Sequence, residues 1–412
     1  MSFPPHPTPT ARDVLDVPWR EALQFRAVLA FADLTGIWRA GMTTTGDLAG
    51  MTRRDILYWL YKAKHPVRCA EPGSGLEAYF AAARERRCEI PDGFEIEHEL
   101  TLSAVGDLMN HEYLGRSRDS LYRHVEALVL GADVAMANLE CVVTDAPRSP
   151  FVITASSGPR LSLSADELDA VTGGGARRRY DFLATACNHS LDFDEDGVAS
   201  TIAALCARGI AFHGVSEHEA DARRACILER RGVRLGIVSF TFGTNARKPP
   251  PERPNIVNVA QLNGSVEQLD LDLLGTQLAH CRAERVDFVI AQLHWGLEHE
   301  LYPRPAQLEV AHHLAELGVD AIFGHHPHVI QPMELYRTRR DPDRLVPIYY
   351  SLGNLTTPFS EAWTCRSQVA KVRLSAGRTK DGARRTYVAE ASADEVVQTA
   401  DTGTRTLALV PG

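Results

Sequence analysis

Short β-rich runs alternate with helical stretches along this chain from about residue 98 onwards. The β-rich runs are Leu100–Val105, Val134–Ala137, Phe182–Ala186, Leu235–Phe240, Phe288–Leu293, Ala321–Phe323 and Pro347–Tyr350. Helix-like segments lie between several of them, at 196–208, 264–283 and 305–317. Strands that alternate with helices at this spacing predict an α/β layered domain. Apolar residues after about residue 367 predict closing antiparallel strands.

The first 97 residues have the pattern of a helical region. A helix is predicted to begin near Asp16, and a second one to open at Thr52, where Asp55 three residues later completes a capping box. The segment 90–93 (Ile-Pro-Asp-Gly) indicates a linker. We therefore predict a helical amino-terminal region at 1–97 and an α/β domain at 98–412. The helices could form a substrate-recognition subdomain or a packing appendage.

Charge and composition exclude several classes of protein. The 412 residues carry a formal net charge of -9, which argues against a nucleic-acid partner, since such proteins need basic surfaces. No signal peptide and no apolar run long enough for a membrane span is visible in the sequence. Eight cysteines lack CxxC pairing, as expected of reduced thiols. We expect a cytoplasmic protein without a membrane partner.

Polar residues follow nearly every β-rich run. Because the carboxyl ends of parallel strands meet at one edge of an open sheet, these side chains are predicted to converge on one crevice. The residues concerned are Asp107, Asn138, Glu140, Asn188, His189, His294, His325, His326, His328 and Asn354. Packing alone does not explain carboxylates, amides and imidazoles at so many strand ends.

The mixture of ligand types indicates a metal site. Carboxylate, amide and imidazole groups suit zinc and other divalent first-row metals. His326 and His328 are two residues apart, so in extended backbone both rings would point the same way, as chelation requires. We expect one or two divalent ions, without a choice among Mn, Zn, Co, Fe and Ca. The predicted ligands are Asp107, Glu140, Asn188, His294, His326 and His328.

Six motifs in order resemble one known family. They are Gly106-Asp107, Asn138-Leu139-Glu140, Asn188-His189-Ser190-Leu191-Asp192, His294-Trp295-Gly296, Gly324-His325-His326-Pro327-His328 and Ser351-Leu352-Gly353-Asn354. Over roughly residues 99–360 the chain resembles the CapA family, named for poly-γ-glutamate capsule synthesis, in the calcineurin-like metallophosphatase superfamily. The resemblance implies an α/β fold, a four-layer α/β/β/α sandwich with the amino-terminal helical region added.

The resemblance also implies roles for individual residues. Asp107 and His328 would bind one metal, and Glu140 would bridge to a second. The second metal would take Asn188, His294 and His326. His189 would be the general acid beside the metals.

One position departs from the superfamily pattern. The first motif normally reads Asp-x-His, whereas Met109 stands here after Asp107 and Leu108. His111 could replace the missing ligand or could be a surface residue, and we favour the surface. The departure counts against phosphoester hydrolysis by a two-metal clamp.

Three kinds of function are consistent with these residues. The first is a phosphoester or poly-γ-glutamate hydrolase, and the third is a non-catalytic metal-binding protein. The second, which we favour, is a peptide epimerase similar to that of lasso-peptide biosynthesis, which inverts the carboxyl-terminal residue of a precursor peptide. It would use His189 as acid or base, with His294 or His325 as the partner group. Trp295 could line its pocket or merely pack in the core.

Overall fold

The computed structural model describes residues 19–39, 41–46, 48–146, 159–174, 178–359 and 361–412. Its first three helices are α1 (Trp19–Thr35), α2 (Arg53–Lys64) and α3 (Leu76–Ala83). The predicted start of the first helix near Asp16 lies outside the described residues. The capping box of α2 is confirmed, because the Thr52 hydroxyl accepts the Asp55 N–H while the Asp55 carboxylate accepts the Thr52 N–H.

The larger sheet has eight strands and is mixed. Its order is β16-β15-β14-β1-β2-β5-β6, with β13 pairing in parallel with β1. The strands are β1 (Glu95–Leu108), β2 (Val134–Leu139), β5 (Phe182–Ala184), β6 (Ala211–His213), β13 (Asn354–Thr356), β14 (Arg366–Arg378), β15 (Arg384–Asp401) and β16 (Thr406–Pro411). The last three form the predicted closing antiparallel strands. A separate small sheet joins β3 (Val142–Val143) to β4 (Ser162–Leu163).

The second sheet has six strands in the order β11-β12-β10-β9-β8-β7. They are β7 (Cys226–Arg230), β8 (Val233–Thr241), β9 (Phe288–His294), β10 (Ala321–His325), β11 (Met333–Arg337) and β12 (Leu345–Tyr349). The remaining helices are α4 (Glu126–Leu130), α5 (Ala165–Val171), α6 (Asp194–Cys206), α7 (Glu219–Ala222), α8 (Asp272–Ala283) and α9 (Pro305–Leu317).

Alternation along the strands builds a four-layer sandwich. On β9, Phe288 and Ile290 face the first sheet, and Ala291 and Leu293 face the opposite side, as the period of two in a strand requires. Helices α8 and α9 cover that outer face, and α4, α5 and α6 cover the outer face of the first sheet. The predicted α/β/β/α arrangement is confirmed.

Two glycines allow the strand ends to approach each other. A Cβ atom on Gly106 would lie 1.9 Å from the carbonyl oxygen of Gly353, and one on Gly324 would lie 2.0 Å from that of Tyr350. Any larger residue would push the paired backbones apart. Glycine at these positions therefore keeps the first and fifth motifs next to the segment at residues 350–353.

The amino-terminal helices are attached through a buried charge cluster. Val67 exchanges two backbone hydrogen bonds with His299 and Leu301. The Lys62 ammonium lies 2.9 Å from the Glu300 carboxylate, with both side chains at least 95% buried, and Arg304 lies 2.7 Å from the same carboxylate. Burial opposes ionisation of Glu300, but the two cations outweigh it and lower its pKa. The division at residue 97 stays a prediction; β1 begins at Glu95.

No helix in the described part of the chain combines the length and the apolar composition needed to cross a membrane.

We predict that Lys62→Met loosens the attachment of α2. Loss of one cation from a buried ion pair should lower the free energy of unfolding by about 3 kcal/mol, whereas Lys64→Met on the exposed face should have little effect. Chemical denaturation at pH 7 measures the difference. Because the pKa of Glu300 is lowered, its contribution is present at neutral pH and is lost as the pH falls below 4.5, the ordinary value. A Lys62 effect of equal size at pH 7 and pH 3 would contradict the ion-pair explanation.

Candidate metal centre

The strand register brings the predicted ligands to one place. Asp107 pairs with Asn138 on β2 and with Asn354 on β13, and His294 on β9 pairs with His325 on β10. The two sheets pack face to face, so the loops at the carboxyl ends of their parallel strands meet above the same edge.

Two groups of side chains have the spacing of metal ligands. Glu140, His326 and His328 form one group, and Asp107, Glu140 and His294 form the other, with all ligand atoms of a group within 4.8 Å of one another. Glu140 belongs to both groups, as a bridging ligand would. Asn188 joins them through its Oδ1 atom, 2.9 Å from Nε2 of His294. The structure thus brings together all six predicted ligands.

The chemistry of the cluster fits divalent cations. Both oxygens of Glu140 are fully buried and have no hydrogen-bond partner among the described residues, a costly arrangement for a carboxylate that nothing compensates. Burial, together with the charge of Asp107, raises the pKa of Glu140 well above its usual value. Burial also lowers the pKa of His294 and His326, so both rings are neutral and offer a lone pair.

His328 is oriented by its neighbours. Its Nδ1 lies 2.9 Å from Oδ1 of Asn354, and its Nε2 lies 3.6 Å from Oε1 of Glu140. An amide that holds one ring nitrogen leaves the other available to a metal. Although burial opposes the charge, Glu140 and Asp107 raise the pKa of His328 to about 10, so metal binding would displace a proton from this ring.

The backbone around these two histidines differs from the prediction. His326 has a φ of +93° and His328 a φ of +57°, so the segment is not extended, and the expected period-two geometry was wrong. The rings still meet, with centroids 5.8 Å apart. Left-handed backbone at two non-glycine residues is strained, and the strain is located at the predicted ligands.

Asp107 is held by a shell of polar groups. It accepts hydrogen bonds from Nδ2 of Asn138 at 2.8 Å and from the backbone N–H of His326 at 3.2 Å. Nδ1 of His325 lies 3.1 Å away, and the opposite ring nitrogen of His325 lies 2.8 Å from Oε1 of Gln292. Burial alone would raise the pKa of Asp107, but the contacts to His325 and His328 outweigh it and lower the pKa. The buried ring of His325 thus lies between Asp107 and Gln292, which favours positioning over the predicted acid–base role.

The first motif has no replacement histidine in the described part of the chain. The expectation that His111 is a surface residue was wrong, because it is only 5% exposed. Its Nδ1 accepts the backbone N–H of Tyr113, and it belongs to neither ligand group. Met109 instead presents an apolar side chain to the pocket beside the cluster.

His189 stands beside the predicted ligands and contacts a carboxylate. Its Nδ1 lies 2.7 Å from Oδ2 of Asp192, which also accepts the backbone N–H of Leu161. The opposite ring nitrogen lies 3.5 Å from Nδ2 of Asn245. A carboxylate that fixes one nitrogen of an imidazole leaves the second to exchange protons with a substrate.

A pocket, named here the site pocket, opens over the cluster. Asn188, His189 and His328 lie in its wall beside apolar side chains from distant parts of the chain. The lining residues are Gly46, Leu48, Met51, Ile56, Trp59, Met109, Pro159, Leu161, Asn188, His189, Asn245, Glu298, His328 and Phe359. The amino-terminal helical region therefore supplies part of this wall.

Among the pocket residues that the sequence did not predict are Trp59 and Glu298, and the role of Trp295 was open. Trp59 and Glu298 are 239 positions apart, yet the indole N–H donates to the Glu298 carboxylate. The only sequence signal was the place of Glu298 four residues after His294 in the same loop. Trp295 is fully buried, donates to the carbonyl of Tyr350 and stacks on its ring, so it packs in the core and does not line the pocket.

Comparison with known proteins agrees with this arrangement. The family described as bacterial capsule synthesis protein PGA_cap matches residues 101–358, more than half of the chain and the part that carries all six predicted ligands. This chain belongs to that family. Its fold is accordingly the metallophosphatase-like sandwich of the CapA-like proteins.

Several relatives carry names from capsule, PGA or polyglutamine synthesis. A capsule biosynthesis protein CapA of Bacillus anthracis is 27% identical over 287 residues, covering 67% of this chain and 63% of its own length. The PGA biosynthesis protein CapA of Bacillus subtilis (strain 168) is 25% identical over 275 residues, 64% of each chain. A probable polyglutamine synthesis accessory protein of Mycobacterium tuberculosis is 28% identical over 253 residues, 59% of this chain and 60% of its own. The chain thus spans less than two thirds of the length of these relatives.

We predict that Glu140→Gln separates metal binding from folding. Burial and Asp107 raise the pKa of Glu140, and its oxygens have no hydrogen-bond partner among the described residues, so a neutral amide of the same shape should change metal-free stability by less than about 1 kcal/mol. The rise in melting temperature on adding Mn²⁺ or Zn²⁺ should be lost. Glu309→Gln on the exposed face of α9 should keep the rise. A variant at Glu140 that still binds either ion as the wild type does would remove this residue from the centre.

Proposed function

We propose that this chain is a metal-dependent enzyme in which His189 transfers a proton on a substrate held in the site pocket. The observation that carries the proposal is the His189–Asp192 pair in the same pocket wall as Asn188 and His328. Bound divalent metal would supply charge stabilisation and an acidic water. An imidazole oriented by a carboxylate contributes general acid or base catalysis.

The wall of the site pocket favours a substrate with an apolar group. Trp59, Ile56, Met109 and Phe359 offer no partner for a carboxylate, whereas poly-γ-glutamate carries one on every residue. A peptide whose reacting residue has an apolar side chain fits this wall better. We therefore propose a peptide substrate. The cytoplasmic location belongs to the same proposal.

Hydrolysis is the first candidate reaction. The missing histidine of the first motif counted against it, but Asp107, Glu140 and His294 still form a group of three possible ligands, and a catalytic site needs no more than three with one position open. Water would add to the carbonyl carbon or phosphorus, and His189 would donate its proton to the leaving atom. The metallophosphatase-like fold makes this chemistry the better supported of the two.

Epimerisation at an α-carbon is the second candidate, and one observation favours it. Removing a proton from one face and returning one to the other needs two groups, and the carboxylate of Glu298 lines the same pocket as His189. Glu298 is better placed as the second acid–base group than His294 or His325, the two residues predicted from the sequence. His325 lies behind Asp107, and His294 belongs to the ligand groups. The reacting residue would be the carboxyl-terminal residue of a peptide such as a lasso precursor.

One experiment distinguishes these reactions. Alanine-based peptides that end in tryptophan, and p-nitrophenyl phosphate, are incubated in deuterated, ¹⁸O-labelled water with and without EDTA. A gain of ¹⁸O with bond cleavage establishes hydrolysis, and one α-deuterium with inversion establishes epimerisation. Either must disappear with EDTA. Absence of both, with retained metal binding, would contradict the enzyme proposal in favour of a binding protein.

We predict that His189→Ala lowers turnover by about 10²- to 10⁴-fold without loss of metal-induced stabilisation. Asp192→Asn should lower turnover less, because it removes the orienting charge but keeps the imidazole. His218→Ala, an exposed histidine, serves as the control. Turnover of the same substrate is measured for all three. Wild-type turnover in His189→Ala would exclude this residue from proton transfer.

A further inference from the structure

A second cavity adjoins the site pocket and is named here the side cavity. Its volume is about 250 Å³. Its lining residues are Thr43, Thr44, Thr45, Gly46, Glu71, Asn263, Gly296, Leu297, Arg304, Ala306 and Gln307. A smaller cavity between the two shares Gly46, Trp59 and Glu298 with the site pocket, and Thr44 and Leu297 with the side cavity. Gly46 lines all three, so the side cavity lies beside the pocket over the metal centre.

The side cavity contains a buried amide without a partner. Gln307 is 3% exposed, and neither its Oε1 nor its Nε2 has a hydrogen-bond partner among the described residues. Buried polar groups are nearly always paired, so an unpaired one in a cavity wall indicates a ligand. A primary amide places a donor beside an acceptor, which complements the C=O and N–H of a peptide group.

The start of α9 adds further donors to the same wall. Gln307 is the third residue of this 13-residue helix, and no described side chain caps its amino terminus. The N–H groups of Ala306 and Gln307 belong to the first turn, which has no partners within a helix and carries partial positive charge. Arg304 also lines the cavity, but its guanidinium is not counted among the donors to a ligand because Glu300 and Glu71 already bind it.

Another part of the wall comes from Thr43, Thr44 and Thr45. This segment has no regular secondary structure, and among the described residues the backbone groups of Thr43 and Thr44 make no hydrogen bond to other backbone. Backbone groups without such bonds can pair with the backbone of a bound peptide.

We propose that the side cavity is a second subsite for an extended peptide, in which Gln307 and the first turn of α9 bind a backbone peptide group distant from the reacting residue. The proposal rests on the proposed function, which gives the position of the reacting residue in the site pocket. It applies to hydrolysis and to epimerisation alike. It assigns to the amino-terminal region and α9 the recognition of peptide length.

The test measures affinity and not turnover. Alanine peptides of two to eight residues that end in tryptophan with a free carboxylate are titrated calorimetrically into the intact protein. We expect affinity to rise by about tenfold at the length that first reaches the side cavity. Binding of every length with equal affinity would overturn the subsite alone. Binding of none would overturn the peptide substrate as well.

Two variants localise the effect. Gln307→Leu keeps the size of the side chain and removes no hydrogen bond to a described residue, so it should fold, and Thr43→Trp fills the cavity from an exposed position. Both should lose the tenfold gain for long peptides and leave the affinity for the dipeptide unchanged. Gln261→Leu, at an exposed glutamine, should keep the gain. A gain that persists in both Gln307→Leu and Thr43→Trp would refute the subsite.

Discussion

The burial of two carboxylates at one point is the constraint on which the rest of the site depends. Asp107 and Glu140 are both fully buried at the ends of neighbouring strands, where two negative charges without compensation would be strongly destabilising. The surrounding groups treat the two carboxylates differently: Asn138 and the His326 N–H donate to Asp107 and His325 contacts it, while Glu140 has no hydrogen-bond partner among the described residues. This difference in contacts explains why the pKa of Asp107 is lowered and the pKa of Glu140 is raised. It also makes Glu140 the carboxylate that two cations would share.

This arrangement depends on close backbone contacts that only particular residues allow. Gly106 and Gly324 let β1 and β10 approach the segment 350–353, which in turn places Asn354 against His328. The left-handed backbone at His326 and His328 then turns both rings toward Glu140. Local strain at the predicted ligands is thus held by the pairing of the strands that end beside them, as is usual where a site is built in advance of its ligand.

The sequence predicted the strands and the ligand cluster because both depend on local pattern. Apolar runs such as Phe288–Leu293 identify a buried strand, and the polar residue after it identifies the loop at the sheet edge. The backbone of the His326–His328 segment could not be predicted, since non-glycine left-handed conformations arise from tertiary contacts. Nor could the position of His325 behind Asp107, because adjacent histidines in one motif look alike until the strand register decides which of them faces the cluster.

The contact between Trp59 and Glu298 joins the amino-terminal region to the part of the chain that matches the family. The part that matches the family, residues 101–358, contains the ligands and His189, whereas much of the apolar wall of the site pocket comes from residues 46–59 and from Phe359. A domain of this kind can retain the residues proposed for proton transfer while the amino-terminal helices change the shape of the site pocket. The Lys62–Glu300 pair attaches those helices two residues from Glu298, so the apolar wall is anchored at the same loop that contributes Glu298 to the pocket.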